Sequence, residues 1–199
     1  MRFEPRAMGS NSKLFIVTNT ENQFDIVIEA CKNIFIKKTI DYGTAWRVLR
    51  TISVVDQVFI KALRIRNIQG LTERKVEDDV SSEFAGIINY AVIGLIQLRL
   101  RNPVVEELSV QEAGDLYDNA VQETKNTLLN KNHDYGEAWR EMSQESFVDL
   151  ILMKLLRVRQ ILNNDGRTLI SEGIDANYID IINYAVFALI LIDEGKHKS

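Results

Sequence analysis

The residues from Lys131 to Trp139 read KNHDYGEAW, and the residues from Lys38 to Trp46 read KTIDYGTAW. The two stretches lie about 93 residues apart, and both place Asp-Tyr-Gly two residues before an Ala-Trp pair. Self-similarity at a fixed interval indicates a duplicated structural unit. The phrase therefore predicts that the chain contains one fold unit twice.

The match between the two halves continues beyond the quoted phrase. After one residue of slippage, Ile87–Val92 and Ile181–Val186 both read IINYAV. We predict a leader over residues 1–20, a first repeat over 21–102 and a second over 103–199, with both repeats in one compact domain. Between the phrase and the IINYAV stretch, the same residue types recur in the same order: Ser53 and Ser146, Asp56 and Asp149, Lys61 and Lys154, Arg64 and Arg157, and Arg66 and Arg159.

Helical signals fill both repeats. Ser109 and Glu112 have the spacing of a capping box at a helix start, and the NNDG sequence at 163–166 is typical of a helix end. Apolar residues recur at intervals of three and four between such signals. The predicted helices of the first repeat cover about 22–38, 53–68 and 80–99, and those of the second begin at Ser109, near Ser146 and near Asp175.

The predicted fold class is all-α, with two tandem helical repeats packed as a pseudo-twofold helical bundle. The last predicted helix, about Asp175 to Leu191, is apolar nearly all round, as expected for a helix at the centre of a bundle. Each repeat alone would expose an apolar face. The two repeats are therefore expected to cover each other as the subunits of a homodimer do.

Composition excludes several classes of function. The net charge of -4 argues against nonspecific nucleic-acid binding. Cys31 is the only cysteine, which excludes an internal disulfide, and its apolar neighbours predict a buried, inert thiol. The longest apolar stretch, Tyr178–Ile192, is interrupted by Asp180 and Asn183 and is short for a membrane span. We expect a cytoplasmic protein without a membrane partner.

Charged residues within apolar helices are the first candidates for a site. Asp149, Lys154 and Arg157 stand among Leu, Ile and Met, and Lys61 and Arg64 recur at the equivalent places. A buried charge requires a partner or a metal. A structural alternative stays open, in which Asp149 caps a helix start while Lys154 and Arg157 pair with a carboxylate or cover apolar surface.

Polar residues of the last helix and of the repeated phrase complete the set. Asp180, Asn183 and Tyr184 fall at i, i+3 and i+4, so their polar ends project together. Asn183 and Tyr184 would either bind a ligand or satisfy each other across a helical interface. In the phrase, Tyr135 and Trp139 would either stack on a base or plug the end of the bundle. Gly136, also in the phrase, would supply a left-handed backbone at the helix end.

The motifs DYG at 134–136 and DxxNY at 180–184 resemble the family called nucleotide modification associated domain 1. The resemblance covers both repeats, over Asn22–Leu100 and Val110–Ile192. It implies an association with the nucleotide-modifying enzymes of phage and bacteria.

A looser similarity is to the all-α nucleoside triphosphate pyrophosphatases. In those enzymes acidic residues on neighbouring helices hold magnesium and a nucleotide is split between its α and β phosphates. Their paired motifs are incomplete here, since the chain has Glu112-x-x-Asp115 and Asp180-x-x-Asn183. The repeats also differ, because Gly86 stands where the second repeat has Asp180, and Glu83, one turn before Gly86, would partly substitute for that carboxylate.

The leading hypothesis is a Mg²⁺-assisted nucleoside triphosphate (pyro)phosphohydrolase, with Asp149 and Asp180 as its catalytic residues. The Mg²⁺ ligands would be Asp149, Asp180, Asp134 and Glu137. The nucleotide would contact Lys154, Arg157, Tyr135, Trp139, Asn183, Tyr184, Lys61 and Arg64. The alternatives are a noncatalytic nucleotide-binding or partner-binding bundle and a purely structural one, and pairing of two chains as a homodimer is left open.

Overall fold

The computed structural model describes residues 11–70, 79–101, 106–170 and 172–198, without the side chains of residues 11–19 and Tyr135. These ranges form six α-helices and no strand, which confirms the all-α class. The helices are α1 (Asn11–Tyr42), α2 (Thr51–Gln69), α3 (Val80–Leu100), α4 (Val110–Tyr135), α5 (Gln144–Asn163) and α6 (Ile174–Asp193).

The first three helices belong to the first repeat and the last three to the second. Helix α1 begins at Asn11, earlier than the predicted start near Asn22. Residues 1–10 of the predicted leader, and the predicted link around Pro103, lie outside the described residues.

Two predicted helix ends are confirmed by their hydrogen bonds and backbone angles. The Ser109 hydroxyl accepts from the Glu112 amide at 3.2 Å, and the Glu112 carboxylate accepts from the Ser109 amide at 2.9 Å. Helix α5 ends at Asn163, where Asp165 and Gly166 follow with φ of 52° and 76°. Local signals therefore set these boundaries without tertiary help.

The start of α5 differs from the prediction. Ser143 is the N-cap and accepts from the Ser146 amide at 3.2 Å, so Ser146 lies in the first turn. Asp149 is consequently well inside the helix, and the alternative that it caps the helix start is wrong.

The repeated phrase makes the same turn in both repeats. Helices α1 and α4 end at its tyrosines, Gly43 and Gly136 both have φ of +65°, and short 3₁₀ turns follow over Ala45–Val48 and Ala138–Glu141. The positive φ expected of Gly136 is confirmed, and with its ψ of -152° it is a conformation that glycine adopts without steric cost. The phrase thus redirects the chain from the first helix of each repeat into the second.

The two repeats pack about a pseudo-twofold axis. Helix α3 packs on α6 at the centre, and α2 on α5 and α1 on α4 pack across the same axis. Ion pairs between the repeats obey this symmetry: Lys32–Asp118 at 2.6 Å matches Lys125–Asp25 at 2.9 Å, and Arg159–Asp56 at 2.6 Å matches Arg66–Asp149 at 3.7 Å. One chain therefore reproduces the arrangement of a homodimer.

Helices α3 and α6 are long and apolar enough to cross a membrane by length and composition alone. They are also the two central helices, and most of their apolar residues are buried against other helices. Core helices of a bundle have this character. The expected lack of a membrane partner stays a prediction.

Candidate functional site

Asp180 lies where the three helices of the second repeat meet. Its side chain belongs to α6 and is buried, and its two oxygens accept from Lys154 Nζ at 2.5 Å and from Lys131 Nζ at 2.6 Å. Lys154 comes from α5 and is buried, whereas the side chain of Lys131, from α4, is 50% exposed. The structure thus joins two predicted site residues, Asp180 and Lys154, and adds a third, Lys131.

The charges of this cluster act on one another. Burial tends to lower the pKa of Lys131, but its hydrogen bond to Asp180 and the carboxylate charge outweigh burial and raise the pKa. Burial, followed by the charge of Asp180, raises the pKa of Tyr184, while the charges of Lys131 and Arg157 oppose that rise. Tyr184 therefore lies within electrostatic reach of all three groups.

A pocket of about 140 Å³ opens beside this cluster. It confirms that Asp180, Asn183 and Tyr184 project to one side of α6. Ligand pockets of drug size usually exceed about 300 Å³, so this pocket suits a group the size of one phosphate. Its polar and aromatic lining comprises Lys131, Asn132, Trp139, Asp180, Asn183, Tyr184 and Phe187.

A larger open cavity, of about 1050 Å³, is lined by polar residues that include Arg157, Arg167, Glu172 and Asn177 and by apolar residues that include Met153 and Leu169. Asn177 precedes Asp180 by one helical turn, so the cavity adjoins the pocket. Arg157 is exposed and forms no hydrogen bond or ion pair with any residue that the structure describes. Its guanidinium group is therefore available to a ligand.

Trp139 belongs to the core. It is 6% exposed, its ring stacks on Phe187 with centroids 4.2 Å apart, and the guanidinium of Arg140 lies 4.3 Å from its centroid. Two groups so close to one ring must cover opposite faces, which leaves no free face for a base. Its indole Nε1 is buried without a hydrogen-bond partner among the described residues. The geometry fits the alternative in which Trp139 plugs the bundle.

Asp149 is not brought to Asp180. Its side chain is 61% exposed and forms an ion pair with Arg66 of the first repeat at 3.7 Å. Lys154, five residues later, points into the bundle, because residues at that spacing lie on different faces of a helix. Asp149 therefore occupies the interface between α2 and α5 rather than the pocket.

The two carboxylates of the repeated phrase also have other partners. Asp134 is exposed and lies 3.1 Å from the imidazole Nδ1 of His133, while Glu137 accepts from Arg140. Within the described ranges, no three or more His, Cys, Asp or Glu side chains form a group that could hold a metal. No three of the four predicted Mg²⁺ ligands thus come together among the described residues, and the side chain of Tyr135 lies outside them.

The first repeat contains a different version of the cluster. Lys61 and Arg64 do not meet a carboxylate at position 86, which is glycine, but pair with Glu83 one turn earlier. Sequence reasoning expected Glu83 to substitute in part for the missing carboxylate, whereas Lys131 was not among the predicted site residues. The signal for Lys131 was its equivalence to Lys38 in the repeated phrase.

Asn183 and its counterpart in the first repeat, Asn89, differ in the hydrogen bonds of their side chains. The Tyr117 hydroxyl donates to Asn89 Oδ1 at 2.9 Å, and the Asn89 amide donates to the Cys31 carbonyl at 3.0 Å. The residue equivalent to Tyr117 on the other side of the pseudo-twofold axis is Phe24, which has no hydroxyl. Asn183 Oδ1 accordingly has no hydrogen-bond partner among the described residues.

These features define a tandem-duplicated helical bundle whose second repeat has a small pocket lined by Lys131 and Asp180. Residues 38–98 and 131–192 match the family model of nucleotide modification associated domain 1. Because the two segments cover more than half of the chain, the protein belongs to this family, and the two matches agree with the duplication. Comparison with curated proteins and with solved structures finds no match.

Proposed function

We propose that the second repeat binds a nucleotide through its phosphates, at the Asp180 pocket and the adjoining cavity. The observation that carries the proposal is a surplus of positive charge. Lys131, Arg157 and Arg167 line the two openings and Lys154 binds Asp180 from within the bundle, against the two carboxylates of Asp180 and Glu172. An anion is the ligand that such a surplus favours.

The sizes of the two openings suit the parts of a nucleotide. The pocket of about 140 Å³ fits a phosphate beside Lys131, and the cavity of about 1050 Å³ accommodates the remainder of the ligand. Lys131 supplies a mobile point charge, and Arg157 supplies a planar group suited to bidentate phosphate binding. The name of the family supports a nucleotide over other phosphorylated ligands.

A Mg²⁺-dependent phosphohydrolase is the second candidate, favoured by the position of the Asp180 carboxylate at the pocket. Mg²⁺ in nucleotide enzymes is often held by one or two carboxylates together with substrate phosphates. Here Asp180 is the carboxylate at the pocket, and two lysines already bind it. The ion would therefore have to take most of its ligands from the nucleotide and from water.

Thermal unfolding with a panel of nucleoside mono-, di- and triphosphates, with and without Mg²⁺, tests the proposal. We expect at least one nucleotide to raise the unfolding temperature of the wild type, because a ligand that binds only the folded state stabilises it. The rise should shrink strongly in Lys131→Gln. Lys38→Gln is the matched control, since Lys38 is the exposed equivalent in the first repeat.

Two results would overturn the proposed binding. One is no stabilisation by any nucleotide of the panel, and the other is an equal loss in Lys38→Gln and Lys131→Gln. Release of phosphate or pyrophosphate in the Mg²⁺ samples distinguishes the second candidate. Stabilisation without release would leave binding as the function.

A further inference from the structure

Equivalent cations have different partners in the two repeats. In the first repeat Glu83 is 4% exposed, and its carboxylate accepts from Arg64 Nη1 at 2.5 Å and from Lys61 Nζ at 3.1 Å. A buried carboxylate holds cations strongly, because removing one partner leaves an uncompensated charge. Lys61 and Arg64 are therefore held in ion pairs within their own repeat.

Position 177, the equivalent of Glu83, is a neutral asparagine. Asn177 is 3% exposed, its amide donates to the Gly173 carbonyl at 2.7 Å, and its Oδ1 has no hydrogen-bond partner within the described ranges. Arg157, the equivalent of Arg64, shares the cavity wall with Asn177 and Glu172 but forms no ion pair with any described residue, whereas Arg64 binds the carboxylate of Glu83. The exchange of Glu for Asn thus leaves the arginine of the second repeat available.

The glycine at position 86 explains how the Lys61 side chain reaches Glu83 in the first repeat. A Cβ built on Gly86 would lie 2.7 Å from Lys61 Cε and 2.9 Å from its Nζ, so the lysine passes directly over this glycine. In the second repeat, Lys154 reaches the equivalent position and stops at Asp180. The missing side chain of Gly86 therefore gives Lys61 its path to Glu83.

We infer that the protein binds one phosphate-bearing ligand per chain, in the second repeat only, and that Asn177 determines this by leaving Arg157 unpaired. In the first repeat, Glu83 prevents phosphate binding at the equivalent position, because it forms ion pairs with both Lys61 and Arg64. This inference rests on the proposed function for the identity of the ligand as a phosphate compound. That Asn177 leaves Arg157 without an ion pair follows from the structure alone and does not depend on the identity of the ligand.

Titration calorimetry with inorganic tripolyphosphate, without metal, tests the inference. We expect one equivalent to bind to the wild type and at least tenfold weaker binding to Asn177→Glu, because the new carboxylate would hold Arg157 as Glu83 holds Arg64. Asn119→Glu is the matched charge control. Asn119 is exposed on α4, about 18 Å along the helix from Lys131.

A second readout does not depend on any ligand. Nitrogen-15 NMR of the guanidinium groups should show Arg64 restrained and Arg157 mobile in the wild type, and both restrained in Asn177→Glu. If Asn177→Glu does not fold, the arginine variants decide the matter. Arg157→Gln should weaken tripolyphosphate binding at least tenfold with little change in unfolding temperature, whereas Arg64→Gln should lower the unfolding temperature and leave binding unchanged.

Binding of two equivalents by the wild type, or full affinity in Asn177→Glu with Arg157 restrained, would overturn the inference. Equal weakening by the two arginine variants would overturn it as well. If the wild type binds neither tripolyphosphate nor any nucleotide, the proposed function fails together with the single ligand site. The guanidinium spectra would then still show whether Asn177 releases Arg157.

Discussion

At the scale of single residues, the two repeats have diverged where their buried polar groups need partners. Glu83 and Asn177 are equivalent, and so are Gly86 and Asp180, yet the described part of each repeat has one buried carboxylate. The carboxylate has moved by one helical turn, and the lysine of the second helix follows it in both repeats. The need to pair a buried charge is thus satisfied twice by different residues.

Asp180→Asn should lower the free energy of unfolding by about 3 kcal/mol or more, because it leaves Lys154 buried without a counter-charge. Asp149→Asn is the matched control and should change stability by less than about 1 kcal/mol, since Asp149 forms an exposed ion pair. Urea denaturation of both variants measures the difference. Equal effects would contradict a special role for the buried pair.

Phe24→Tyr should raise stability by about 1 kcal/mol, because a hydroxyl at this position is placed by the pseudo-symmetry to donate to Asn183 Oδ1. The reverse change, Tyr117→Phe, should lower stability by about 1 to 3 kcal/mol by leaving Asn89 Oδ1 without its donor. Thermal and chemical unfolding of both proteins test the pair. A loss of stability in Phe24→Tyr together with a neutral Tyr117→Phe would disprove the explanation.

At the scale of elements, the central crossing of α3 and α6 depends on one close contact, between Gly94 and the ring of Tyr178. A Cβ on Gly94 would lie 2.7 Å from the ring of Tyr178, which is fully buried. The equivalent of Gly94 in α6 is Ala188, which has a Cβ, so this contact breaks the pseudo-symmetry. Gly94 is therefore kept small by packing, although glycine is unfavourable within a helix.

Gly94→Ala should destabilise the protein by about 1 to 3 kcal/mol through overpacking against Tyr178. Gly114→Ala is the control in another buried helical position, where a Cβ would meet only Ile36 Cδ1 at 3.5 Å. It should be neutral or raise stability by up to about 1 kcal/mol, as helix propensity predicts. A stabilised Gly94→Ala, measured by the same unfolding assay, would show that the crossing has room to adjust.

At the scale of the whole molecule, each repeat covers an apolar face that the other repeat would expose on its own. Helix α6 is apolar nearly all round and packs on α3 as well as on α5, so the second repeat alone would expose a large apolar face. The symmetric ion pairs Lys32–Asp118 and Lys125–Asp25 join α1 of one repeat to α4 of the other. We therefore expect the chain to unfold as one cooperative body rather than as two independent domains.

The isolated segment 106–198 should not persist as a folded monomer. We expect it either to unfold or to form a homodimer in which a second α6 replaces α3, because that face must be covered. Circular dichroism and sedimentation equilibrium, with the full chain as control, distinguish these states. A monomer with the helicity of the intact repeat would contradict this view of the fold.

Much of the architecture was predictable because its signals are local. The repeated phrase, the capping box at Ser109 and the NNDG helix end act within a few residues of chain, and apolar periodicity marks the faces that must be covered. Cys31 is buried as expected, and burial raises the pKa of its thiol to about 12. The start of α1 escaped prediction, because no comparably clear signal marks it.

The sequence by itself determined the helical class, the duplication and the set of polar residues that need partners, since each follows from spacing along the chain. Only the tertiary structure decided which of those residues meet. Asp149 forms an ion pair with Arg66 of the other repeat. Asp180 binds Lys131 and Lys154, and Glu83 binds Lys61 and Arg64. The physical reason is that ion pairing depends on distances between helices, which the packing of α3 on α6 sets and the order of residues within one helix does not reveal.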